Sequence, residues 1–226
     1  MTDADADTMG TNPNRPYDRA ERLSDAVVHL AGLTLALAAV PVLITLTAIW
    51  HGTLTGILGV TIYGVSLIAM LSASLAYNHV YHPGWQEALR RLDMSAIYVK
   101  IAGTITPFAL LSGAGSGFLA AMWTAAVVAT ATVFLRRRRS TALSIGIGLA
   151  MGWAVLLGGG AVIAAVSWPV LGLIVAGGLL YTLGTPFLMA ERLRYHNTIW
   201  HAFVVAASVI YFIAVFLHAA QSVMTG

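Results

Sequence analysis

The chain contains no cysteine. Disulfides and thiolate chemistry are therefore excluded, and redox compartment cannot be read from it. Charge is also scarce: charged residues make up 9% of the 226, against about 25% in a soluble domain. A chain so poor in charge cannot cover itself for water. What fills the space is apolar, with 58% hydrophobic residues and a mean hydropathy of +0.81. This is the composition of an integral membrane protein whose surrounding partners are membrane lipids. The formal net charge of +3 is small, and no nucleic-acid partner is expected; protein partners are not readable.

Only the beginning of the chain departs from this pattern. Met1 to Ala20 holds Asp3, Asp5, Asp7, Asn12, Pro13, Asn14 and Pro16 with little apolar content. Such a segment cannot bury enough surface to offset its ordering entropy, so residues 1–20 are expected to form a disordered cytoplasmic tail. An acidic start followed by an overlong apolar run does not describe a signal peptide. Residues 21–226 are expected to form one membrane domain.

A spanning helix needs about 20 apolar residues, and seven such runs can be placed. They cover Ala26–Trp50, Gly56–Tyr81, Asp93–Leu111, Gly117–Leu135, Ala142–Leu157, Pro169–Phe187 and Thr198–Ala220. The runs lack period-2 alternation, so the expected fold is all-α, a polytopic seven-helix bundle rather than a barrel. Gly158, Gly159 and Gly160 interrupt the fifth run and predict a turn with an interfacial return. Under this reading the arginines all fall on one side: Arg15, Arg19, Arg22, Arg90, Arg91, Arg136 to Arg139, Arg192 and Arg194. The opposite loops carry no charge. The positive-inside rule then places the N-terminus and these loops in the cytoplasm and the C-terminus outside, with the Arg136–Arg139 run as a topology anchor.

Polar residues gather at the cytoplasmic ends of four spans. Glu21, Asp25 and His29 are spaced by four and share one helical face. Ser74, Asn78 and His82 repeat that spacing in span two, with His79 one position along. Asp93 opens span three, and Lys100 follows two turns up the same face. Span seven opens with His196, Asn197 and His201. Glu21, Asp25 and Asp93 also suit helix starts, where the macrodipole favours acids. His51, His82 and His218 read as ordinary boundary residues. Lys100 must snorkel or find a carboxylate, and Asp93 is the obvious partner.

These residues carry a resemblance. Glu21-x-x-x-Asp25-x-x-x-His29, Ser74-Leu75-Ala76-Tyr77 and Arg91-Leu92-Asp93 occur in order. They are followed by Ile101-Ala102-Gly103-Thr104, Thr106-Pro107-Phe108, and Ile199-Trp200-His201 with Phe203-Val204. Together they resemble the haemolysin III family, which belongs with the progestin and adipoQ receptors. The resemblance implies seven helices in a bacterial plasma membrane, a zinc site near the cytoplasmic side and a role in membrane homeostasis. It also implies ceramidase-like hydrolysis of a lipid amide; the haemolysin label suggests cytolysis through pores.

The chain departs from that pattern at its metal positions. The family histidine four residues after Ser74 is Asn78 here, with His79 beside it. The first of two histidines four apart in span seven is Asn197, with His196 before it and His201 in the second place. Asn is a poor zinc donor. Two readings follow. Helix rotation could let His79 and His196 serve with His201, at a cost of about 100° per helix. Otherwise zinc is lost and Lys100 supplies positive charge near Asp93, the reading favoured by both replacements occurring together. In an enzyme, Asp93 would be the base or water orienter and His201 a metal ligand or second acid–base group. Ser74 and Asn78 would hydrogen-bond the reacting groups, with Asn197 and Lys100 completing the polar set. The alternative is a non-catalytic, receptor-like or channel-forming protein in which the same cluster is a structural lock.

Overall fold

The computed structural model describes residues 18–135 and 140–222. Most of the expected tail and the Arg136–Arg139 run lie outside the described residues. The chain folds as α1 (Arg19–His51), α2 (Leu54–His79), α3 (Gln86–Ser112), α4 (Ser116–Leu135), α5 (Thr141–Gly158), α6 (Gly160–Ala165), α7 (Trp168–Met189) and α8 (His196–Ser222). Among the described residues seven helices are long and apolar enough to cross a membrane, all except the six-residue α6. That short helix is the return expected at the triple glycine. In hydrocarbon each backbone polar group must be satisfied within its own helix, which is why apolar runs of this length become helices.

Local chemistry sets the ends. Asp18 caps α1 by accepting from the Glu21 N–H at 2.8 Å, while Glu21 reaches back to the Asp18 N–H at 3.1 Å; this reciprocal pair satisfies two donors that the helix start leaves open. Helix α1 therefore begins at Arg19, about two helical turns before the expected boundary at Ala26. It stops at Gly52, whose φ of 60° lies in the left-handed region, where glycine carries no side-chain penalty. Thr53 and Ser140 cap α2 and α5 by accepting the Gly56 and Leu143 N–H groups, without the reciprocal bond that Glu21 supplies to Asp18.

Helix α3 is the innermost element: about two thirds of its apolar window is buried (67%), against 11% for α5. It packs on α2 so closely that a Cβ on Gly103 would collide with the Ser66 side chain. Helices α1 and α8 run side by side and in parallel. Ser24 and Thr198 hydroxyls lie 3.1 Å apart at one end, and His51 Nε2 donates to the Ala219 carbonyl at 2.8 Å at the other. Leu43, Tyr63, Tyr98, Phe108 and Val215 form the centre of the core.

His218, expected as an amphipathic boundary residue, is buried inside the bundle near the end of α8. It is 4% exposed, with its ring centroid 5.3 Å from that of Phe108. The reason is helical phase: Ala207, Tyr211, Ala214, Val215 and His218 form one buried stripe, and α8 continues to Ser222.

Candidate functional site

The site lies at the arginine-bearing end of the bundle, where α1, α2, α3 and α8 meet. Glu21 and Asp25 share a helical face, but the structure gives them different tasks. Glu21 completes the cap of α1 and also accepts the Tyr195 N–H at 2.8 Å. Tyr195 has a φ of 61°, an uncommon conformation for a residue with a Cβ. Glu21 thus holds a strained corner in place immediately before α8, and this corner sets where the first turn of α8 starts. Arg194 adds an ion pair to Asp18 at 2.9 Å.

Asp25, one turn deeper and 2% exposed, faces inward. Its Oδ1 accepts from His201 Nδ1 at 2.7 Å. Its Oδ2 lies 3.1 Å from His79 Nε2 and 3.4 Å from His29 Nδ1. His29 Nδ1 also donates to the Asp25 carbonyl at 2.9 Å. Since all these partners are oxygen acceptors, His29 and His201 both carry their proton on Nδ1, an assignment made from the hydrogen-bond network. Their Nε2 lone pairs are therefore bare. Both point at one group: Ser74 Oγ lies 3.1 Å from His29 Nε2 and 3.4 Å from His201 Nε2. One hydroxyl hydrogen cannot serve both. The rings stand 4.0 Å apart, centroid to centroid, and the buried Asp93 carboxyl faces Ser74 and His29.

This geometry could hold a metal. Asp25, His29 and His201 are all buried, and their ligand atoms lie within 4.8 Å of one another. Two imidazoles beside a carboxylate are part of a familiar donor set for a catalytic divalent ion. His residues held through the second ring nitrogen by a carboxylate are also typical of metal sites.

The asparagines are placed differently. Asn197 Nδ2 donates to Asn78 Oδ1 at 2.9 Å, and Asn78 Nδ2 donates to the Ser74 carbonyl at 2.9 Å. Asn78 and Asn197 thus bond to each other and tie α2 to α8. His79 and His196 are not in the metal-capable group: His79 packs against Asp25 and His29, and His196 lines the vestibule beside Asn197. That vestibule, about 1020 Å³ including its open mouth, also borders Arg22, Arg90 and Asp25.

Lys100 is not near this centre as a partner of Asp93. It is 2% exposed and donates to the Tyr181 hydroxyl at 3.1 Å. Two helical turns separate Lys100 from Asp93 by about 10 Å along the axis, and the lysine turns toward α7 instead. The expectation that it supplies positive charge at Asp93 is thereby corrected.

Asp25 and His29 were legible in the sequence as one face but were not assigned to the site. Their spacing with Glu21 was the signal; the ordinary tendency of acids to start helices concealed it for Asp25.

The fold and site define a seven-helix membrane protein with a buried histidine–aspartate centre at one end. The chain matches the family model described as Haemolysin-III related over residues 19–212. It is 32% identical over 201 residues to Hemolysin-3 of Bacillus cereus, covering 88% of this chain and 91% of that protein. A Hemolysin-3 homolog of Bacillus subtilis (strain 168) is also 32% identical over 201 residues, covering 88% of this chain and 94% of the relative. This chain belongs to the haemolysin III family.

Proposed function

We propose that the protein serves membrane-lipid homeostasis in a bacterial plasma membrane, hydrolysing an amide-linked acyl lipid at a cytoplasm-facing zinc centre. The observation that carries this reading is the convergence of two unprotonated imidazole nitrogens, on His29 and His201, upon Ser74. His29 and His201 would hold the ion through Nε2, with Asp25 fixing both rings through their Nδ1–H groups. When bound, zinc polarises a carbonyl and lowers the pKa of water. The chain's own residues supply the rest. Asp93 accepts a proton from the attacking water and returns it to the departing amine, so that the water oxygen joins the acyl carbon as the C–N bond breaks. Ser74 orients that carboxyl. Arg22 and Arg90 at the vestibule favour anionic lipid surfaces, and the one-sided arginines support the cytoplasmic orientation.

The deciding measurement is fatty-acid release from a ceramide in reconstituted vesicles by wild type and Asp93→Asn, together with bound metal. Release that requires Asp93, with zinc bound in both proteins, supports the reading. Release by the variant at the wild-type rate would overturn it.

A second reading rests on the Asn78–Asn197 bond. An amide pair where the family pattern asks for histidines suits a structural lock between α2 and α8, in a non-catalytic protein that lyses membranes as the relatives' name suggests. Lysis of erythrocytes with no lipid turnover, equal in wild type and Asp93→Asn, would favour it.

A further inference from the structure

We propose that Lys100 anchors the carboxylate of a long-chain carboxylic acid whose tail fills an apolar cavity between α3, α5 and α7. Lys100 lies near the midpoint of α3 and is 2% exposed. Its ammonium cannot snorkel from there, because the ends of the helix are about 18 and 21 Å away. No Asp or Glu among the described residues forms an ion pair with it. Its partners are the Tyr181 hydroxyl at 3.1 Å and the ring faces of Tyr181 and Tyr211, at 4.7 and 4.5 Å from their centroids. Aromatic faces attract a cation but do not accept its remaining protons as an anion would. A buried cation without an opposite charge is costly and marks a ligand pathway by default.

The surroundings share that shortage of acceptors. The Tyr181 hydroxyl meets Ser208 Oγ at 3.1 Å. Tyr63, 0% exposed and beside Tyr181 and Tyr211, has a buried hydroxyl with no hydrogen-bond partner. Lys100 opens onto a cavity of about 970 Å³, including its mouth, otherwise walled by groups such as Ile101, Phe108, Leu149 and Ile174. A single cation in an apolar cavity fits a ligand with one negative charge and an apolar tail. A phosphomonoester would bring a second charge with nothing to neutralise it.

The head group in this site lies at mid-depth, away from the histidine–aspartate centre. The cavity adjoins the polar vestibule, since Met94 and Leu188 border both. The inference uses none of the residues assigned to hydrolysis and stands apart from that reading.

The test is native mass spectrometry and thermal shift on the full chain in detergent, titrated with oleate, oleyl alcohol, acetate and oleoyl lysophosphatidate. Oleate is expected to bind saturably at one site, about 10- to 100-fold tighter than oleyl alcohol, the range of a charged hydrogen bond. Lys100→Met should remove that preference while leaving oleyl alcohol unchanged. Gly152 borders the cavity, and a Cβ there meets nothing within 4 Å, so Gly152→Phe should fold and exclude both chains. Equal affinity for oleate and oleyl alcohol overturns the proposal, as does unchanged oleate preference in Lys100→Met. Tighter lysophosphatidate binding overturns the carboxylate assignment, and acetate protection equal to oleate overturns the need for a tail. His201→Ala should bind oleate as wild type does; loss there would place the head group at the other centre and overturn the assignment. Should Lys100→Met not fold, the wild-type oleate-to-alcohol ratio and Gly152→Phe still decide.

Discussion

Among the charges the molecule buries, Asp25 and Lys100 are of opposite kind and sit in different company. Asp25 sits at the arginine-bearing end with three imidazoles within 3.4 Å. Lys100 sits at mid-depth with a tyrosine hydroxyl, two aromatic faces and, among the described residues, no carboxylate. Around Asp25 the chain supplies its own complement, so the charge specifies how α1, α2 and α8 meet. Around Lys100 the complement is missing and a cavity takes its place. A buried charge paired by the protein organises structure; one left without a counter-charge leaves room for a ligand.

The sharpest way to break this comparison is to remove each charge. Asp25→Ala leaves the Nδ1–H groups of His29 and His201 without their carboxylate. Breaking a buried pair of this kind costs about 3–5 kcal/mol, so thermal unfolding in detergent should show a large fall in Tm. Lys100→Met in ligand-free protein should change stability little or raise it, because removing an uncompensated buried charge relieves desolvation. A fall in Tm equal to that of Asp25→Ala would erase the distinction between the two regions.

Metal content sharpens it further. His201→Ala should lower stoichiometric zinc, read by elemental analysis of purified protein, by about tenfold or more. Lys100→Met should leave the metal unchanged. Full retention of zinc in His201→Ala would remove the metal from the centre.

The asparagine pair predicts a smaller effect. Asn78→Ala and Asn197→Ala should each cost about 1 kcal/mol, and the double variant less than their sum, because both singles lose the same bond. Strict additivity in a double-mutant cycle would mean that the bond carries no coupling.

The smallest effect belongs to the exposed end of α1. The Glu21 backbone N–H, with help from the Arg194 guanidinium, holds the Asp18 carboxyl below the usual carboxylate range. A lowered folded pKa stabilises the fold above the ordinary value of about 3.9. That contribution fades as pH falls through and below that value. Asp18→Ala should therefore flatten the acid limb of a Tm–pH profile slightly and leave the neutral region almost unchanged; an identical acid limb would deny the cap any role.

Much of the fold was legible because membrane helices leave a direct record. Seven apolar runs and a triple glycine located every span and the return at α6, since hydrocarbon allows little besides helices. The site was legible as faces but not as partners. The structure brings Ser74, Asp93 and His201 together, whereas Asp25 was hidden by its resemblance to a helix-start acid. Lys100 was paired with the wrong residue, because spacing along α3 says nothing about α7.

The sequence by itself determined the seven helices, the one-sided arginines and the family. Those properties follow from length, hydropathy and motif order, which are local. Only the tertiary structure decided that Asn197 bonds Asn78, that Asp25 rather than Asn197 completes the histidine centre, and that Lys100 faces a cavity. Each of these depends on the rotation of one helix against another, which side-chain packing sets across more than a hundred intervening residues.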